Sequence, residues 1–134
     1  MTNSEISTAI KTRVFADYTA AYPAVPIVFD NDPFDWNAPP AQFVQFEVEF
    51  DNGAQIGISP NPKTRKYGCA YVTVCTREGT GTLTALDISD WFAEKLGYYQ
   101  TIRLHMQAPQ PQVSHAPTGW RHDALRVGWY ADPA

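Results

Sequence analysis

The chain has 134 residues and a mass of 15.0 kDa, enough for one domain with a real core and too few for two. Hydrophobic residues make up 44% and charged residues 18%, the balance of a folded globular protein and not of a disordered one. A net charge of -4 argues against non-specific nucleic-acid binding, which needs clustered Lys and Arg.

The pattern Ile6, Ile10, Val14, Tyr18 puts an apolar residue on one face every four positions and predicts a helix over 4–21. Asn3 or Ser4 is the expected cap, Glu5 suits the first turn, and Pro23 stops the helix. The next stretch, AYPAVPIVFDNDPFDW over 21–36, is the most informative in the chain. Proline has no amide donor and a fixed φ, so Pro23 and Pro26 leave a helix exit, a short strand over 25–29 and a rigid acidic loop. That loop, 30–41, also holds Pro33, Pro39 and Pro40.

Residues 42–50 alternate with period two. Val44, Phe46, Val48 and Phe50 face one way and Gln45, Glu47 and Glu49 the other, which marks a half-buried strand. Asp51-Asn52-Gly53 reads as a hairpin turn, because Asn-Gly accepts positive φ at both central positions, with the return strand at 55–58. Residues 59–66 form a polar, basic, proline-broken loop or hairpin tip, and 67–76 a strand rich in β-branched and aromatic residues.

A second helix is predicted over 82–96 from Ala85, Ile88, Phe92 and Leu96, with Gly97 as its stop. Residues 101–106 alternate again, with Ile102, Leu104 and Met106 inward. A Pro/Gln/Ser loop over 108–118 leads to a closing strand at 124–130. The order α-β-β-β-β-α-β-β makes an α+β domain spanning 1–134. Its largely antiparallel sheet should carry both helices packed on one face, with Val44, Phe46, Val48, Ile88, Phe92 and Leu104 in the core.

Chemistry is thinly represented. His105, His115 and His122 have no zinc-like ligand spacing. Asp30, Asn31, Asp32 and Asp35 echo a calcium loop without its Gly or bidentate Glu. Gly79-Thr80-Gly81-Thr82 before a helix could offer amides to an anion but lacks the Lys of a phosphate loop. Cys69 and Cys75 lie about 20 Å apart if one strand holds both, too far for a mutual disulfide. The expectation is a non-enzyme with no metal or cofactor. No apolar run nears the ~20 residues of a membrane span, and the start MTNSEIST reads as no signal peptide, so a soluble, cytosolic product is expected.

Charge is segregated. Residues 30–51 hold six acids and no Lys or Arg, whereas 61–77 hold Lys63, Arg65, Lys66 and Arg77 and no acid. Aromatic residues make up 13%, and a domain this small should leave some of them exposed, as protein interfaces do. Both features suggest shape and partner more than catalysis.

Four segments together resemble the small tail-terminator, or tail-completion, proteins of long-tailed bacteriophages, the gpU-like family. The first is the helix exit Ala21-Tyr22-Pro23-Ala24-Val25-Pro26-Ile27-Val28-Phe29-Asp30-Asn31. The others are the strand ending in Phe50 with Ile56-Gly57 on its return, Arg65-Lys66-Tyr67-Gly68 running to Gly79-Thr80-Gly81, and Gly119-Trp120 followed by Val127-Gly128-Trp129-Tyr130. The resemblance implies a virion structural protein, made in the host cytoplasm, whose homo-oligomeric ring, commonly a hexamer, caps the head-proximal end of the tail tube. Its partners would be further copies of itself, the tail tube protein and a head-completion or neck protein. Head–tail joining and minor tail proteins share this plan, and an NTF2-like ligand-binding domain is the reading from another class. A closed ring needs two different patches meeting head to tail. The candidates are Asp30, Asp32, Phe34, Asp35 and Trp36 on one side and Lys63, Arg65 and Lys66 on the other.

Overall fold

A computed structural model of the chain describes all residues except Asn31, Asn52, Ser59, Thr80, Gly81, Thr82, Val113, Ser114, Ala134 and the side chain of Leu83. Helix α1 (Asn3–Ala21) starts from a capping box at Thr2, not at Asn3 or Ser4. The Thr2 hydroxyl accepts from the Glu5 amide at 3.1 Å and the Glu5 carboxylate accepts from the Thr2 amide at 2.8 Å, so two otherwise unpaired donors are satisfied. Ile6, Ile10, Val14 and Tyr18 are all buried, as the spacing predicts. The Tyr18 hydroxyl donates to the Val25 carbonyl at 2.8 Å and ties down the proline-rich exit.

The strands are β1 (Ile27–Phe29), β2 (Gln42–Phe50), β3 (Ala54–Ile56), β4 (Lys63–Arg77), β5 (Leu104–Gln112) and β6 (Trp120–Ala131), with helix α2 (Leu83–Leu96) between β4 and β5. They form a six-stranded mixed sheet in the order β1-β2-β4-β6-β5, with β3 also on β4. β1 runs parallel to β2, and the other pairs are antiparallel. A parallel pair needs a crossover of about a dozen residues, which the 30–41 loop supplies. The molecule is an α+β fold.

Asp51-Asn52-Gly53 does not make a hairpin turn between two paired strands. β2 and β3 both pair with β4, lying end to end along it. Asn52 itself lies outside the described residues. Gly53 fits because a Cβ there would stand 2.5 Å from the Thr64 methyl and 3.2 Å from the Arg65 carbonyl.

Several element boundaries differ from expectation. The strand β4 begins at Lys63, four residues before the expected start, because 63–65 pair with β3 and leave a hairpin tip ahead of them. β5 begins at Leu104, because Thr101 closes a tight turn in which its hydroxyl accepts from the Leu104 amide at 3.1 Å. Ile102 is therefore 94% exposed. β5 then runs to Gln112 through Pro109 and Pro111, which an edge strand tolerates because the missing amides face outward. Helix α2 ends at Leu96, directly before Gly97 as expected; the positive φ that follows belongs to Tyr98, at 59°, and a Cβ added at Gly97 would stand 2.6 Å from the Ala93 carbonyl.

One hydrophobic cluster contains the apolar stripe of α1, Ala85, Ile88, Phe92 and Leu96 of α2, and Val44, Phe46, Val48, Ala70, Val72, Leu104, Val127 and Trp129 of the sheet. Gly68 lies beneath Trp129, where a Cβ would collide with the indole ring and the Glu49 carbonyl. Among the alternate sheet positions Glu47 is exposed and Tyr71, Thr73, Arg126 and Tyr130 are half-buried, while Phe43, Cys69 and Cys75 are buried on that side. Phe50, in register with the core positions, is 40% exposed and packs on Trp129 with ring centroids 5.4 Å apart.

Candidate subunit interface

Each element brings its interface candidates to a definite place. The amide of Asp30 donates to the Phe46 carbonyl at 3.0 Å, so the acidic loop leaves the sheet beside the middle of β2. Its carboxylates have partners within the chain. Asp30 pairs with Lys11 at 2.5 Å, Asp32 accepts from the Phe29 amide at 3.1 Å, and Asp35 accepts from the Asn37 amide at 3.0 Å. These are contacts of a loop holding its own shape, with two carboxylates turned to its backbone. Among the described residues no group of three or more His, Cys, Asp or Glu side chains is placed to hold a metal ion.

The loop then folds over one end of the sheet. Phe34 packs against Trp36 and Phe43 with centroids 4.6 and 4.8 Å apart, Phe43 packs against Trp120 at 5.5 Å, and the Arg77 guanidinium lies 4.6 Å from the Trp120 ring. Phe43 is buried but Trp36 remains 62% exposed. Sequence reasoning did not place Phe43 and Trp120 in this group. The available signal was Phe43 itself, an apolar residue at the head of the otherwise polar series Gln45, Glu47, Glu49.

Between loop and sheet lies a cleft of about 380 Å³ bordered by Asp30, Asp32, Phe34, Trp36, Glu47 and Tyr71. Burial, and then the nearby carboxylates of Glu49 and Asp30, push the Glu47 carboxyl above the ordinary range. The cleft thus combines aromatic walls with acidic groups that repel one another.

The basic candidates stand at the other end of β4. β3 and the start of β4 form a two-stranded ribbon, Ala54 opposite Arg65 and Ile56 opposite Lys63. It lies beyond the outermost β4–β6 pair, Lys66 with Ala131. Arg65 bonds Asp132 at 2.6 Å and lies 4.9 Å from the Tyr130 ring, on which His105 also stacks at 4.7 Å. The Asp132 carboxylate holds the Arg65 guanidinium above its ordinary pKa. Lys66 donates to the Asn3 side chain at 2.9 Å. Arg65 and Tyr71, at the cleft, are six residues apart along β4, about 20 Å. The fold therefore brings Asp30, Asp32, Phe34 and Trp36 together and sets Lys63, Arg65 and Lys66 apart from them.

Both cysteines are buried free thiols on β4 outside the main core cluster, and burial pushes Cys75 up to about 12, so it is a small, unreactive buried side chain. Burial lowers His122. The Gly79–Thr82 helix entry falls mostly outside the described residues.

No protein-family model and no curated protein matches the chain. A solved structure of a protein whose name states no function matches it over 100% of this chain and 98% of its own, with a TM-score of 0.73 at 16% sequence identity. At that identity the likeness extends to the fold alone.

Proposed function

We propose that this chain is a structural assembly protein of a long-tailed bacteriophage, a tail terminator whose subunits close into a ring, commonly a hexamer, at the head-proximal end of the tail tube. The ring ends tube polymerisation and offers its other side to a head-completion or neck protein. The observation that carries this reading is the one-sidedness of the core. The stripes of both helices share one cluster with the inward sheet positions, from which we infer that both helices pack on the same face. The opposite face buries Phe43, Cys69 and Cys75 and otherwise presents Tyr67, Tyr71, Thr73, Arg126 and Tyr130 as a partly exposed surface. Together with an exposed Trp36 and a basic ribbon beyond the sheet, this supports a protein that works by fitting other proteins. The resemblance of the helix exit, the Gly79-Thr80-Gly81 break and the Val127-Gly128-Trp129-Tyr130 close to tail terminators points the same way.

In this role the chain needs no catalysis, metal or cofactor, and its place is the virion tail after assembly in the host cytoplasm. The test is electron microscopy of the chain mixed with tail tube protein and with neck components. Tubes of arrested length with a ring at one end are expected. Tubes of unrestricted length, with the chain bound only to neck components, would move it to the head–tail joining class.

A further inference from the structure

The tip of the β3–β4 ribbon carries side chains that water alone does not account for. Ile58 is fully exposed and Ile56 is 37% exposed, while all three β3 residues face solvent. From Ala54 to Arg77 the chain contains Lys63, Arg65, Lys66 and Arg77 and no acid. An aliphatic pair on a projecting cationic ribbon is a plug without a socket in its own subunit.

A socket of complementary character exists on the same molecule but out of reach. The cleft of about 380 Å³ has aromatic walls, Phe34, Trp36 and Tyr71, and acidic groups, Asp30, Asp32 and Glu47. The ribbon opens β4 and the cleft borders its middle, about 20 Å further along one continuous strand, so the tip cannot fold back into it. The occupant must come from another molecule, and its charge and apolar character match those of the ribbon. Apolar contact would supply the attraction and the opposite charges the orientation.

We propose that the cleft between the 30–36 loop and the β2–β4 face of one copy receives the Ile56–Ile58 tip and the Lys63 ammonium of a second copy. This rests on the ring reading and specifies its contact. Tip and cleft are different patches, so each copy gives one and takes one, the arrangement that closes a ring. Crowded carboxylates at Asp30, Glu47 and Glu49 fit this role, since an incoming cation relieves their repulsion.

The experiment is cysteine cross-linking of the full chain. Cys69 and Cys75 are buried, so introduced surface thiols react alone. The double variant Ile58→Cys/Trp36→Cys should give, under mild oxidation, a ladder of covalent oligomers ending at the ring size, and neither single variant should. Ile58→Glu, at a solvent-exposed position with unchanged near-UV circular dichroism, should sediment as smaller species than the parent. If the parent sediments as a ring while the double variant gives no ladder, the tip-in-cleft contact is overturned and the ring reading stands. Cross-linking by Ile58→Cys alone means that tips meet tips, which also overturns the proposal. A parent that stays monomeric at every concentration, alone and with tube protein, overturns both.

Discussion

Phe46 touches two elements at once, Phe29 of β1 at 5.7 Å and Phe92 of α2 at 6.1 Å between ring centroids, and it is buried. Phe46→Ala should therefore cost about 3–5 kcal/mol, the usual penalty for emptying an aromatic site in a core. Urea unfolding checks this, and a midpoint equal to the parent's would mean that the β2 side chains face the other way. Its neighbour Glu47 makes the opposite prediction. Its folded pKa is raised, so between the unfolded value and the raised value the folded chain holds more protons than the unfolded one. Stability contributed by this group is present below the unfolded pKa and lost as pH rises through the folded one. Glu47→Gln should accordingly raise the melting temperature of the subunit at neutral pH, and the gain should vanish in acid, where Glu47 is protonated in both states.

At the scale of elements, α1 depends on a residue one place before the expected caps. Thr2→Ala removes half of a capping box and should cost about 1 kcal/mol, while Asn3→Ala and Ser4→Ala leave that box intact. Comparing the three melting curves decides between Thr2 and the positions that spacing alone suggests. The acidic loop is an element of a different kind, held by Lys11 on Asp30 and by the backbone contacts of Asp32 and Asp35. Because amides and an ammonium hold these carboxylates, dialysis against a chelator should leave the melting temperature unchanged. A large drop would restore a bound cation at Asp30, Asp32 and Asp35.

For the whole molecule, the proposed ring would have charge set how subunits meet more than how tightly they hold. Exposed ion pairs are worth about 0–1 kcal/mol each and are screened over ~10 Å in 0.1 M salt. Assembly should therefore weaken from low to moderate salt without being abolished, because apolar contacts persist. Lys63→Glu should weaken the oligomer in sedimentation, and Asp32→Lys added to it should partly restore assembly. Arg65 is a poorer probe than its sequence position suggests, since its reversal would also break the Asp132 pair within the subunit. An oligomer indifferent to both salt and these reversals would show that the charged segments face away from the subunit contact.

Local pattern was enough wherever one periodicity had one explanation. The four-residue spacing of Ile6 to Tyr18, the stripe of Ala85 to Leu96 and the alternation of Val44 to Val48 each specify a buried face, because a polar side chain there would lose its water without a partner. Asn-Gly after Phe50 pointed to a hairpin between β2 and its return, and only the length of β4 overrode it by offering one partner to β2 and β3 alike. The same holds for the interface candidates. Their charges are legible residue by residue, and Asp30 and Phe34 stand close enough in sequence to be grouped by eye. Which of those charges a subunit already answers from within, through Lys11 or Asp132, depends on residues 19 and 67 positions away and on strands meeting in space. The meeting of Phe43 with Trp120 was decided there too, since contact across a sheet follows from strand order, and strand order follows from how the whole chain buries its core.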